Sequence, residues 1–215
     1  MTKKTFWKDP YQTSIETRIA SVSGPNVVVE ETILYAFSGG QESDSGTIGG
    51  YPVLEARKIG KEIEYTLPSD HDLREGDTVI IDIDWRRRYK LMRLHFAAEL
   101  VLELMYKKLV GVSKVGAHIA EDKARIDFEW NESISPLLPE VANEAQAIVD
   151  SNREIISAFS DEMDERRYWK IDGFAQVPCG GTHLKRTGEV GTLRLKRNNI
   201  GKGKERAEIF LVQAE

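Results

Sequence analysis

The spacing of apolar residues changes once along this chain, at Trp85, and that change constrains its architecture more than any other feature. Upstream, the runs "IETRIASVS", "VVVEETILYAF", "YPVLEARKI", "KEIEYTL" and "DTVIIDID" are short and rich in β-branched residues, with Gly24-Pro25-Asn26 and a glycine-rich stretch between them. Strands this short and this closely spaced predict a small β-barrel. Downstream, residues 89–110 place Leu91, Leu94, Ala98, Leu102, Met105 and Leu109 at intervals of three and four, which predicts a long amphipathic helix. The segments "VGAHIAED" and "KARIDFEW" then read as a strand pair, because Ala124, Ile126, Phe128 and Trp130 alternate with polar residues. Residues 137–159 read as a second helix, residues 160–169 as a short third one, and the last fifty residues as strands separated by glycines. The predicted fold class is α+β, with a β-barrel domain at 1–87 and an α+β domain with antiparallel sheet at 88–215. A length of 215 residues is sufficient for two such cores.

With 40% hydrophobic and 30% charged residues and no apolar run near bilayer length, the composition predicts a soluble protein without a membrane partner. The N-terminus "MTKKTFWKDPYQ" has no apolar core of a signal peptide, and the chain has one cysteine, so a cytoplasmic location is expected. The net charge of −5 excludes a uniformly basic surface, but the charge is segregated. Thirteen acidic residues between Glu121 and Glu165 face three basic ones, whereas eight Lys and Arg between Lys185 and Arg206 face two acidic ones. A second basic cluster, "WRRRYKLMR", spans residues 85–93. These clusters make Arg86, Arg87, Arg88, Lys185, Arg186, Lys196, Arg197, Lys202 and Lys204 candidate contacts to a phosphate backbone, or else solvated strand and loop edges.

Two pairs of side chains have the spacing of metal ligands. His95 and Glu99 lie four residues apart on the long helix, hence on one face and one turn apart. Cys179, the lone cysteine, and His183 repeat the interval in "VPCGGTHLKRTGEVG". A thiolate, two imidazoles and a carboxylate drawn from two distant short-spaced pairs suit zinc. Taken singly, each is equally a satisfied core histidine, a packed thiol or a solvated carboxylate. The glycine-rich stretch 36–50 lacks both the P-loop ending and dinucleotide-binding spacing, so no nucleotide cofactor is expected and a hairpin loop or substrate-approaching loop remains. A zinc deaminase is disfavoured because its H-x-E and P-C-x-x-C pattern is absent.

The block "CGGTHLKRTGEVG" resembles the signature of free-standing alanyl-tRNA editing proteins of the AlaX type, related to the editing domain of alanyl-tRNA synthetase. "DWRRRYKLMRLH", "GAHIAEDKARIDF", "LLPEVANEAQAIVDSN" and "IGKGKERAEIF" are similar to other family segments, and "TILYAFSGGQESDSGTI" resembles the N-terminal motif of the longer members. The resemblance implies a zinc-dependent deacylase, working without ATP, that hydrolyses serine or glycine from mischarged tRNA(Ala) held by its acceptor arm. It implies that 1–87 is an accessory domain and 88–215 the editing domain, with one zinc on His95, Cys179 and His183 and the fourth position on Glu99. The family usually has a second histidine there, so Glu99 is either an oxygen ligand or a general base beside His95. Gly39, Gly40, Gln41, Asp44, His118, Glu121, Gly180, Gly181 and Thr182 become substrate-binding candidates. The alternative is a non-catalytic tRNA-binding paralogue with a structural zinc; oligomeric state is left open.

Overall fold

Strand gives way to helix at Asp84, whose carboxylate Oδ1 accepts the Arg87 N–H at 3.1 Å and whose carbonyl accepts that of Arg88 at 3.0 Å. Such an N-cap stabilises a helix by about 1 kcal/mol, and it starts α1 (Trp85–Lys108) one turn earlier than apolar spacing alone predicts. In the computed structural model, which describes residues 1–201 and 203–212, the chain packs as two units. Residues 1–38 and 42–89 form the first; residues 39–41 join the chain from Lys90 onward in the second.

In the first unit, β1 (Lys3–Lys4) runs parallel to β4 (Glu31–Thr32). The other strands are β2 (Ser14–Ser23), β3 (Asn26–Val29), β5 (Gly46–Ile48), β6 (Tyr51–Pro52), β7 (Glu55–Ile59), β8 (Glu62–Thr66) and β9 (Thr78–Ile83). They form one seven-stranded antiparallel sheet in the order β6-β5-β9-β2-β3-β8-β7. The long β2 serves two neighbours: Ser14–Arg18 pair with β9, and after an irregularity between Ile19 and Ser21 its second half pairs with β3. Only Val53 and Leu54 separate the two edge strands β6 and β7 in sequence. Alternating residues bury one face, including Ile19, Val27, Val29, Ile48, Ile63, Tyr65 and Ile81.

The second unit is α+β with antiparallel sheets. One has the order β10-β11-β16-β15, from β10 (Ser113–Ile119), β11 (Ala124–Glu129), β15 (Leu193–Gly201) and β16 (Lys204–Leu211); the other has the order β12-β13-β14, from β12 (Ile156–Asp161), β13 (Arg166–Ile171) and β14 (Ala175–Pro178). The predicted apolar stripe of α1 proves too narrow, since Met92, Phe96, Ala97, Leu100, Val101 and Leu104 are also buried. A helix buried on so many sides is a core element rather than a surface one. No helix among the described residues is long and apolar enough to cross a membrane.

Two expected helices are corrected. The second, α2 (Leu138–Asp150), stops well before residue 159, because Asn152 adopts the left-handed conformation (φ 46°) just past the helix end and the β-branched Ile155 and Ile156 lead into β12. The third does not exist: residues 160–169 contain the β12–β13 hairpin, whose turn places Glu165 at φ 54° and lets Asp161 Oδ1 accept the Asp164 N–H at 3.0 Å.

Candidate metal centre

Helix α1 contributes His95, 5% exposed, and one turn later Glu99. The turn after β14 contributes Cys179 and His183, the latter 3% exposed. Their donor atoms converge. His95 Nε2 lies 3.3 Å from Glu99 Oε1 and 3.4 Å from Cys179 Sγ; His183 Nε2 lies 3.3 Å from Sγ, and Glu99 Oε1 lies 3.6 Å from Sγ. The His95, Cys179 and His183 donors all fall within 4.8 Å of one another. A tetrahedral zinc ion with nitrogen or oxygen ligands at about 2.0–2.1 Å and sulfur at about 2.3 Å separates its ligands by about 3.3–3.6 Å. The donor set and these separations therefore fit such an ion.

The surrounding charges in the metal-free cluster follow from the same proximity. Burial opposes a charge on His95, but the Cys179 sulfur and the Glu99 carboxylate outweigh it and raise its pKa to about 10. Burial likewise opposes the Glu99 carboxylate, and His95 and the Trp169 indole hold it down at about 2. His183 is pushed well below its ordinary value by burial first and the charge on His95 second. A proton on His95 thus occupies the position of a cation, and metal binding must displace it.

Gly181 explains how the turn approaches the helix so closely. A Cβ built on it would lie 1.9 Å from His95 Cε1, 2.5 Å from His95 Nδ1 and 2.9 Å from Gln41 Oε1. Gln41 reaches this turn from the glycine-rich loop, donating from Nε2 to Thr182 Oγ1 at 2.8 Å and accepting the Thr182 N–H on Oε1 at 3.3 Å. Both residues are 1% exposed. The loop tip is held by the Ile119 N–H, which donates to the Gly40 carbonyl at 2.7 Å. Gly40 sits at φ 90°, and a Cβ there would meet Ala117 O at 2.6 Å, so a side chain is excluded.

The structure thus brings His95, Glu99, Cys179 and His183 together and joins Gln41 and Thr182 to them through Gly181. Gly39 and Gly180 are the neighbours of these contacts in the chain, and His118 lies on β10 beside the Ile119 that holds the loop tip. Glu121 is bonded to Lys90 at 3.2 Å. Asp44 is a correction, because both its oxygens are buried against Arg88 and its Oδ2 also accepts the Tyr35 N–H at 2.6 Å, which leaves none for a substrate. Arg88 is corrected with it as a phosphate contact: it is fully buried and also donates to the Pro10 and Ile33 carbonyls. Arg87 is bonded to Glu42 at 2.7 Å, and Arg197 to both oxygens of Glu205. Arg86, Lys185, Arg186, Lys196 and Lys204 are exposed, and Lys202 lies outside the described residues.

Sequence reasoning missed three residues around the ligands. Ser157 Oγ lies 2.9 Å from His183 Nδ1, the Trp169 indole N–H donates to Glu99 Oε2 at 2.8 Å, and Arg167 Nη1 donates to the Gly181 carbonyl at 3.3 Å. All three belong to β12 and β13, where helices were expected, and no motif marks them.

The family model of the threonyl and alanyl tRNA synthetase second additional domain matches residues 170–208, which include Cys179 and His183. The alanyl-tRNA editing protein AlaX-M of Pyrococcus horikoshii is 32% identical over 98% of this chain and 98% of its own length. The AlaX-M protein of Methanosarcina barkeri is 29% identical over 99% of this chain and all of its own length. The alanine–tRNA ligase of Ignicoccus hospitalis is 32% identical over 90% of this chain but only 24% of the ligase. With the likeness to AlaX-M running the full length of both chains, this chain belongs to the alanyl-tRNA editing proteins of the AlaX family.

Proposed function

We propose that this chain is a cytoplasmic, zinc-dependent deacylase that hydrolyses the ester of mischarged tRNA(Ala), with serine as its main target and glycine as the second. The observation that carries this reading is the convergence of four donors, His95, Glu99, Cys179 and His183, at separations of 3.3–3.6 Å in a chain of the editing family. A zinc ion bound there supplies a fixed positive charge and Lewis acidity toward water, the ester carbonyl or the substrate's amino group. The rest is done by the protein. Gln41 and Thr182 hold the glycine-rich loop and the Cys179–His183 turn in one arrangement beside the ligands. Serine is told from alanine by hydrogen bonds to its hydroxyl, which leave polar groups unpaired when alanine enters and support discrimination of up to about 10^4 to 10^5-fold. Ester hydrolysis is downhill, so no nucleotide is consumed.

The exposed Arg86, Lys185, Arg186, Lys196 and Lys204 are the proposed contacts to the acceptor arm, whose A-form helix is read mainly through backbone and shape. The first unit is read as a small barrel, its edge strands brought together by the two-residue Val53–Leu54 link, that helps to place the acceptor stem. A second reading, a tRNA-binding paralogue with a structural zinc, is favoured by one observation: four protein donors already fill a tetrahedron.

The deciding experiment measures metal content and hydrolysis of Ser-tRNA(Ala), Gly-tRNA(Ala) and Ala-tRNA(Ala) by the wild type and Cys179→Ala. The wild type is expected to hold one zinc per chain and to cleave the seryl ester in preference to the alanyl ester, and Cys179→Ala to lose both. Stoichiometric zinc with no cleavage of any of the three refutes the deacylase and supports the paralogue.

A further inference from the structure

We infer that Trp169 fixes Glu99 as a one-oxygen fourth ligand, so that the metal centre is closed by four protein donors and Glu99 is not a general base. The inference rests on the metal reading above. It begins with a division of labour within one carboxylate. Oε1 faces His95 Nε2 and Cys179 Sγ at ligand-to-ligand separations, whereas Oε2 is turned away and accepts the Trp169 indole N–H at 2.8 Å. A carboxylate otherwise binds a metal through one oxygen or through both. The indole N–H, which can only donate, holds Oε2 back and leaves Oε1 as the ligating atom.

Trp169 is placed for this task and cannot readily leave it. Its side chain is fully buried, with Phe96 edge-on at 5.2 Å and Phe174 stacked at 6.4 Å. Without Glu99 the indole N–H would have to find another acceptor inside the core. The same rung of the sheet serves the opposite side of the cluster. Ser157 is the cross-strand partner of Trp169, so the two side chains project from one face. Ser157 Oγ meets His183 Nδ1 at 2.9 Å, which leaves His183 Nε2 to face Cys179. One pair of neighbouring residues thereby orients two ligands, one from α1 and one from the turn after β14, in the way that outer hydrogen bonds tune metal sites.

A general base needs a free lone pair within reach of water. Here Oε2 is occupied by the indole and Oε1 by the metal, so the proton-accepting group of the reaction lies elsewhere. The replacement of the family's usual histidine by glutamate follows the same logic: a carboxylate that chelated through both oxygens would raise the coordination number, and the indole prevents that.

Cobalt(II) substitution reads coordination directly, through visible bands that are intense in tetrahedral sites and weaken when a fifth ligand enters. The cobalt-loaded wild type is expected to show the tetrahedral spectrum and to be insensitive to added azide. Trp169→Phe keeps an aromatic ring in the core but removes the donor; it is expected to weaken the bands and to lower zinc affinity by about 10- to 100-fold. Glu99→Ala is expected to change the spectrum and lower affinity as well, which a base outside the coordination sphere would not do. In Glu99→His, an imidazole ligates through a single nitrogen and needs no second hydrogen bond to choose its atom, so adding Trp169→Phe should then alter affinity by no more than about twofold. Wild-type affinity and spectrum in Trp169→Phe, or wild-type affinity in Glu99→Ala, overturns the inference while leaving the metal reading intact. A wild type that takes up neither zinc nor cobalt overturns both.

Discussion

Gly180 and Gly181 are adjacent glycines with opposite expected tolerance to a methyl group, and the contrast tests the site geometry. An added Cβ at Gly180 meets no atom within 4 Å, while at Gly181 it lies 1.9 Å from His95 Cε1. Carbon atoms rest at about 3.5–4.0 Å, so Gly181→Ala demands that the imidazole and the turn separate by about 1.5 Å or more. The ring has little freedom to comply. It is 5% exposed, and its Nε2 is held between Glu99 Oε1 and Cys179 Sγ. The separation therefore falls on the ligand geometry, and a 1 Å misplacement at a catalytic site is worth about 10^2-fold. Gly181→Ala is expected to lower zinc affinity by about 10^2-fold, with an overpacking cost of about 1–3 kcal/mol in stability. Gly180→Ala should be close to wild type in both. Zinc competition against a chromophoric chelator, with urea melts of the metal-free proteins, measures the two quantities separately. If Gly181→Ala binds zinc as tightly as Gly180→Ala does, the close approach of turn to helix is wrong and the derived ligand set falls with it.

The buried Arg88–Asp44 pair predicts that Arg88→Met destabilises the protein by about 3–5 kcal/mol in urea melts, because it strands the Asp44 carboxylate inside the first unit. A loss below about 1 kcal/mol would show that the carboxylate escapes to water. Gln41→Ala removes both bonds to Thr182 and should lower kcat/KM for Ser-tRNA(Ala) about tenfold at unchanged zinc content; loss of zinc instead would make Gln41 a structural support of the ligands. Burial works to raise the Asp127 pKa, but Arg206 and Arg125 outweigh it and hold it below the ordinary 3.8. A depressed carboxylate contributes stability that is full above its unfolded pKa and lost as pH falls through the folded one. The stability difference between wild type and Asp127→Asn in urea should therefore shrink from pH 7 toward pH 3, and a pH-independent difference would refute the assignment.

What the sequence reveals here is local, and what it conceals is pairing at a distance. The strands of the first unit are legible because β8 and β9 alternate buried and exposed residues, and α1 because its apolar spacing is helical. The four candidate ligands are legible as two short-spaced pairs. By contrast, β12 has the burial pattern eeiiei-like in character, with no residue fully buried, so no alternation announces it, and the acidic run around its hairpin has ordinary helix-forming composition. Ser157, Trp169 and Arg167 act only through the register of β12 on β13, which sets residues 157 and 169 opposite each other. Arg88 and Asp44 were misassigned for a related reason. A charge in a basic cluster looks like surface until its buried partner, 44 residues away, is known.

A closed centre also acts as a fastener, which gives a further prediction about metal removal. His95 and Cys179 are 84 residues apart in sequence, so an ion that ligates both closes a long loop. Treated as a cross-link on the unfolded chain, a loop of that length is worth about 4–5 kcal/mol, provided the ion stays bound in both states. Zinc that is instead released on unfolding stabilises the fold through its binding free energy, which grows with free zinc concentration. Either route raises Tm, by about 2–4 °C for each kcal/mol in a protein of this size. Thermal melts with saturating zinc and with excess chelator are thus expected to differ by about 10 °C or more, with a dependence on free zinc that distinguishes the two routes. Cys179→Ala, lacking the thiolate that completes the loop, should show a much smaller difference. Superimposable wild-type melts with and without chelator would mean that no ion links α1 to the turn, and the four donors would then be a hydrogen-bonded cluster of the apoprotein, held by the proton on His95.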